Sequence, residues 1–181
     1  MSIRRLIASL LAISLLLCAS AMAAPATSRS STESTMLKAL LRSRDLWATI
    51  NICTPTDQPD TLGIRGSMPG DKHSRDQMYM RFHLQYQDAK TKKWLDLPAK
   101  DKRAPKFLHV GAGASVRQGG GSFQLEPQAG KPAFSLRGVV EFQWRRGSRV
   151  LQSATRPTTA GHRSVAGADP AGFSSASCLI G

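Results

Sequence analysis

The chain has 181 residues, 25 Lys and Arg against 12 Asp and Glu, and a formal net charge of +13. Its length suits one ordinary domain, and its charge favours anionic partners. Aromatic residues make up only 6% of the chain, which argues against reading nucleic-acid bases by stacking.

The first residues read as an export signal. Arg4 and Arg5 form a positive start, Leu6 to Leu17 an apolar run, and Ala21-Met22-Ala23 a small-x-small cleavage pattern. The run is short for a membrane span, and no later stretch approaches the ~18 apolar residues that one needs. A retained anchor helix is the alternative. Cys18 follows Leu17, where a lipoprotein signal wants a small residue, so lipidation is disfavoured. Cleavage at Ala23 removes two of the 25 basic residues and none of the 12 acidic ones, leaving 158 residues and a net charge of +11. The expectation is a secreted, periplasmic or cell-envelope protein with residues 1–23 as signal, 24–44 as a flexible leader and 45–181 as one domain.

Within the leader, Met36, Leu37, Leu40 and Leu41 follow Ser34 and Thr35 at helical spacing, which predicts one short helix. From Leu46 the period changes to two. Leu46, Ala48, Ile50 and Ile52 share one face, and Trp47, Thr49, Asn51 and Cys53 the other. Leu62, Ile64 and Met68 align before a Pro69-Gly70 turn. Met78, Met80, Phe82, Leu84 and Tyr86 then alternate with Tyr79, Arg81, His83, Gln85 and Gln87. Short strands follow at "WLDL", "FLHV" and "SFQL", with the glycines at 119–121 read as a mobile connection. In "FSLRGVVEFQWRR", Leu136, Val140, Phe142 and Trp144 face one way and Arg137, Glu141, Gln143 and Arg145 the other. Gly138 on the apolar side implies a bulge or a close backbone approach. "VLQSAT" returns as the hairpin partner, and the chain past Pro157 reads as irregular up to Cys178.

About seven short strands without a long helix between them predict an all-β antiparallel sandwich, immunoglobulin-like or fibronectin-III-like in architecture. A small β-barrel is the alternative. Two cysteines outlast the signal, and outside the cytoplasm they have one intramolecular pairing, Cys53 with Cys178. The bridge would staple the tail, past the last strand, to the first core strand. "LWATINIC", "GIRGSMPG", "MYMRFHLQYQ", "LRGVVEFQWRRG" and "DPAGFSSASCLIG", in that order, resemble a group of uncharacterised exported bacterial proteins. The resemblance spans Leu46 to Gly181, implies export and the bridge, and carries no activity.

Motifs for chemistry are sparse. No G-x-S-x-G elbow is present, and "GAGAS" at Ser115 lacks its closing glycine. His83 reads as a solvated strand position, while His73 and His162 fall in turns beside Lys72 and Arg163. No C-x-x-C, H-x-x-x-H or H-E-x-x-H occurs, and Asp57 with Asp60 is far short of a calcium loop. "GAGASVRQGGGS" lacks the Gly-Lys-Ser/Thr of a phosphate loop. Neither a catalytic residue nor a cofactor is expected.

Charge remains. Lys90, Lys92 and Lys93 cluster in one turn, Lys100, Lys102, Arg103 and Lys106 in the next connection, and Arg145, Arg146 and Arg149 around the last hairpin. These residues predict a non-enzymatic module for an anionic envelope polymer or an envelope protein, with no sequence-specific nucleic-acid readout. A soluble surface would explain the same charge. An assembly protein pairing through a sheet edge is the second reading. An enzyme is the third, to be revived by a cleft that gathers a histidine and a carboxylate.

Overall fold

The computed structural model describes residues 26–98, 105–126, 130 and 132–181. Among these, one helix precedes nine strands. The helix α1 is Ala26–Leu40, and the strands are β1 (Trp47–Cys53), β2 (Thr61–Met68), β3 (Gln77–Gln87), β4 (Trp94–Asp96), β5 (Leu108–Ala112), β6 (Arg117–Gln124), β7 (Phe134–Arg146), β8 (Arg149–Pro157) and β9 (Cys178–Ile180). They build an all-β protein of two antiparallel sheets. One has the order β1-β2-β6; the other has β4-β3-β7-β8, with β5 also on β3 and β9 also on β7. No helix among the described residues is long and apolar enough to cross a membrane.

Alternation dictates which face each long strand buries. Met78, Met80, Phe82 and Leu84 of β3 and Leu136, Val140, Phe142 and Trp144 of β7 all point into the core, opposite Ile50, Leu62, Ile64 and Met68. Each large side chain enclosed this way contributes roughly 1.5–3 kcal/mol. Trp144 is fully enclosed, and its indole N–H donates to the Pro69 carbonyl at 2.9 Å. That bond fixes the chain just before the β2–β3 turn.

Gly138 pairs with Leu84 in an unbroken register, so there is no bulge at this point. The reason for glycine is close approach: a Cβ there would lie 2.5 Å from Ile64 Cδ1 and 2.9 Å from Thr158 Cγ2. A bulge does occur in β1, at Asn51, where the β1–β2 register shifts between Ile50 and Ile52. One extra residue inverts the side-chain alternation beyond it. Cys53, expected on the face opposite Ile50, therefore packs against the core. There it bonds Cys178 with a Cα–Cα distance of 5.7 Å.

Three further sequence expectations change. The glycines at 119–121 lie inside β6, paired with Ile64, Arg65 and Gly66, and are not a mobile tip. Phe82, Met80 and Val110 fill the volume in front of Gly119 and Gly121, where side chains on β6 would collide. Cys178 opens β9, paired with Leu136, and so lies within a strand. Helix α1 begins at Ala26 and extends through the stretch read as a leader. Thr49 and Asn51 of β1, on the face opposite Ile50, are buried although both are polar. The segment after β8 runs along the free edge of β1 beside them: Ser175 pairs with Ile50, the Asp169 N–H donates to the Asn51 carbonyl at 2.8 Å, and Thr49 Oγ1 bonds Ser174 Oγ at 2.8 Å.

Candidate functional site

Two places combine charge with access. The first is the outer face of the six-stranded sheet. Strand periodicity puts Tyr79, Arg81, His83 and Gln85 of β3 beside Arg145, Gln143, Glu141, Val139 and Arg137 of β7 on that face. Phe107, just before β5, and Trp94, which opens β4, bring two further rings. Arg81 lies over Phe107 at 4.6 Å, Arg137 over Trp94 at 4.6 Å, and Arg145 over both Tyr79 at 4.3 Å and Phe107 at 4.8 Å. Such stacks hold a guanidinium flat without neutralising it.

The hydrogen bonds of these arginines differ. Arg81 donates to the Glu141 carboxylate, with Nε to Oε1 at 3.0 Å, so its charge is matched. His83 stands 3.7 Å from the same carboxylate and 3.8 Å from Asp96. Arg137 donates to the Gln85 amide oxygen at 2.8 Å, and Arg145 to that of Gln143 at 2.8 Å. Neither Arg137 nor Arg145 has a carboxylate partner among the described residues. Burial lowers the Arg137 pKa from its ordinary value, and it stays a cation at any physiological pH.

Two of the basic clusters expected from sequence lie at opposite ends of the six-stranded sheet. Lys90, Lys92 and Lys93 are exposed in the β3–β4 turn, beyond Tyr86, which pairs with Leu136. Arg145, Arg146 and Arg149 lie at the other end, where Gln77 pairs with Arg145. Nine residues of strand separate the two ends, about 30 Å. Lys106 is exposed ahead of β5, and Arg149 is exposed at the start of β8. Lys100, Lys102 and Arg103 lie outside the described residues. Among the described residues of the expected clusters, Arg145 is the one stacked on rings. The sequence did hold a signal for the rest of this face, since Tyr79 and Arg81 share it with Arg137.

The second place is a cleft of about 780 Å³ between α1 and the β2–β3 turn, with Glu33, Met36, Lys72, His73, Asp76 and Arg146 on its walls. The turn is zipped to the loop after β5. The Lys72 N–H donates to the Gly113 carbonyl at 2.9 Å, and the Gly113 N–H to the Asp76 carbonyl at 2.7 Å. A Cβ on Gly113 would lie 2.3 Å from Asp71 Oδ1, so only glycine admits this approach.

That zipper brings Asp71, His73 and Asp76 together, with one ligating atom from each within 4.8 Å of the others. Asp71 Oδ1 accepts the His73 N–H at 2.9 Å, while its Oδ2 is enclosed without a donor among the described residues. Burial, followed by the hydrogen bond and repulsion from Asp76, raises the Asp71 pKa to about 6, against the opposing bond from the His73 N–H. Asp76 moves the other way, because Arg146 clasps it with Nε to Oδ1 at 2.7 Å and Nη2 to Oδ2 at 2.8 Å. Arg146 reaches Glu33 of α1 at 3.2 Å as well, so its charge is engaged internally. Sequence reading passed over this D-x-H-x-x-D spacing, which is visible in "GDKHSRD".

This is a cleft with a histidine and carboxylates. His73 Nδ1 lies 3.0 Å from the Asp71 backbone oxygen, and no hydroxyl or thiol is bonded to the ring among the described residues. The arrangement lacks the nucleophile–base contact of acyl transfer. His162 is a different case. It stacks on Trp47 with ring centres 4.5 Å apart, bonds Thr159 Oγ1 at 2.7 Å, and has its pKa lowered by burial.

No protein-family model, curated protein or solved structure matches this chain.

Proposed function

We propose that the protein is an exported, non-enzymatic binding module that holds an anionic polymer of the cell envelope against the outer face of its six-stranded sheet. The observation that carries this reading is the set of arginines stacked on Phe107, Trp94 and Tyr79, two of which are held by neutral amides. A guanidinium laid flat on a ring and bonded on one edge keeps its remaining N–H groups for phosphate or carboxylate oxygens. Arg137 and Arg145 are eight residues apart on β7, about 26 Å, which spans several repeat units of a polymer. Lys106 and the lysines of the β3–β4 turn border the same sheet and add long-range attraction. Export rests on the N-terminal signal pattern, and the net charge of +11 left after cleavage at Ala23 suits an anionic target.

An edge-pairing role has less support, because Ser175 and Asp169 bridge residues of the edge strand β1. Binding to long-chain polyphosphate, titrated with salt, tests the polymer reading. The affinity should fall linearly on a log–log plot as counterions are released. Binding that ignores salt, or none at low salt, would remove the proposal.

A further inference from the structure

We propose that Asp71, His73 and Asp76 form a site for a divalent transition-metal ion of the zinc or manganese class, at the floor of the cleft beside α1. The two carboxylates are both enclosed, with Asp71 1% and Asp76 0% exposed. One guanidinium serves the pair, and it is committed to both oxygens of Asp76. Asp71 Oδ2 is enclosed with no donor among the described residues, and the Asp71 carboxylate lies within 4.8 Å of the ligating atoms of His73 and Asp76. A buried, ionised oxygen without a partner is costly, and a cation shared with Asp76 removes that cost.

The donor set selects the class of ion. Two carboxylate oxygens and one imidazole nitrogen match zinc and manganese, whereas calcium and magnesium prefer oxygen alone. Access is open, because the His73 side chain is 47% exposed and the cleft beyond it has room for water to complete the coordination. Asp76 keeps lone pairs beyond the two that Arg146 occupies, so Arg146 orients the ligand from the outer side. Lys72 and Arg75 on the cleft wall are exposed, and neither is bonded to the two carboxylates. This site is independent of the polymer face and does not rest on it.

The test uses the purified, oxidised protein without a histidine tag, stripped with chelator and titrated with ZnCl2 or MnCl2. Calorimetry should give one zinc per chain. At a hundredfold excess over Kd the melting temperature should rise by about 5–10 °C. Asp71→Asn and His73→Gln should each weaken zinc binding at least about tenfold. His83→Gln and His109→Gln should leave it unchanged. His73 is exposed, so His73→Gln still decides the matter if Asp71→Asn fails to fold. Absence of zinc and manganese binding would overturn the proposal. So would affinity unchanged in His73→Gln, or affinity lost in His83→Gln.

Discussion

Replacing Asp71 with Asn should stabilise the metal-free protein above pH 7 and flatten its stability profile. The folded-state pKa of Asp71 is about 6 against an ordinary 3.8. The folded protein therefore binds this proton more tightly than the unfolded chain does. Its favourable contribution is complete below about pH 4, is lost as pH rises through 6, and leaves an ionised carboxylate enclosed at higher pH. A displacement of about two units corresponds to about 3 kcal/mol at 1.36 kcal/mol per unit. Asp76 acts in the opposite sense, because Arg146 holds it down and its contribution is lost only as pH falls. Asn keeps the oxygen that accepts the His73 N–H and removes the charge. The expected gain is about 1–3 kcal/mol at pH 8, shrinking to nothing near pH 4. Urea unfolding with EDTA from pH 4 to 8 reads this directly, since urea does not screen charge. Parallel wild-type and variant curves, or a variant less stable at pH 8, would refute the reasoning.

Three other expectations concern stability. Cys178→Ser opens a loop with a sequence separation of 125, worth on the order of 4–5 kcal/mol in the chain-entropy model; an unchanged melting temperature would show that the bridge adds nothing. Gly138→Ala drives a methyl into Ile64 and Thr158 and should cost about 1–3 kcal/mol by chemical denaturation, whereas Gly147→Ala, which meets no atom within 4 Å, should avoid that collision and show only its own backbone cost at φ +58. Trp144→Phe strands the Pro69 carbonyl and leaves a void, so it should cost at least about 2 kcal/mol. Proteolysis near the β2–β3 turn should also quicken in that variant.

The alternation at 78–86 and 136–144 was legible because a half-buried sheet imposes a period of two on the sequence. The disulfide was legible from the cysteine count together with the expectation of export. What escaped were features set by distant residues. The bulge at Asn51 inverts Cys53 without leaving any mark in composition. Thr49 looks like a solvent-facing residue until the segment around Ser174 is folded over it. The glycines at 119–121 resemble a loop because glycine serves both loops and crowded strands, and only Phe82 and Met80 on β3 decide which. At the candidate sites, Arg137 and Arg145 were readable as one face of β7, while their stacking rings come from β3, β4 and the residue before β5. Asp71, His73 and Asp76 are close in sequence, but Gly113 from another strand's loop brings their side chains together.

The most direct test of the binding account is co-sedimentation of the oxidised protein with isolated cell envelopes across a salt titration, comparing wild type with an Arg137→Gln, Arg145→Gln double variant. Wild-type binding should fall steeply between about 50 and 200 mM salt, and the double variant should bind at least about tenfold more weakly at the low end. A double variant that sediments like the wild type would contradict the binding account, as would a wild type that stays in the supernatant at low salt.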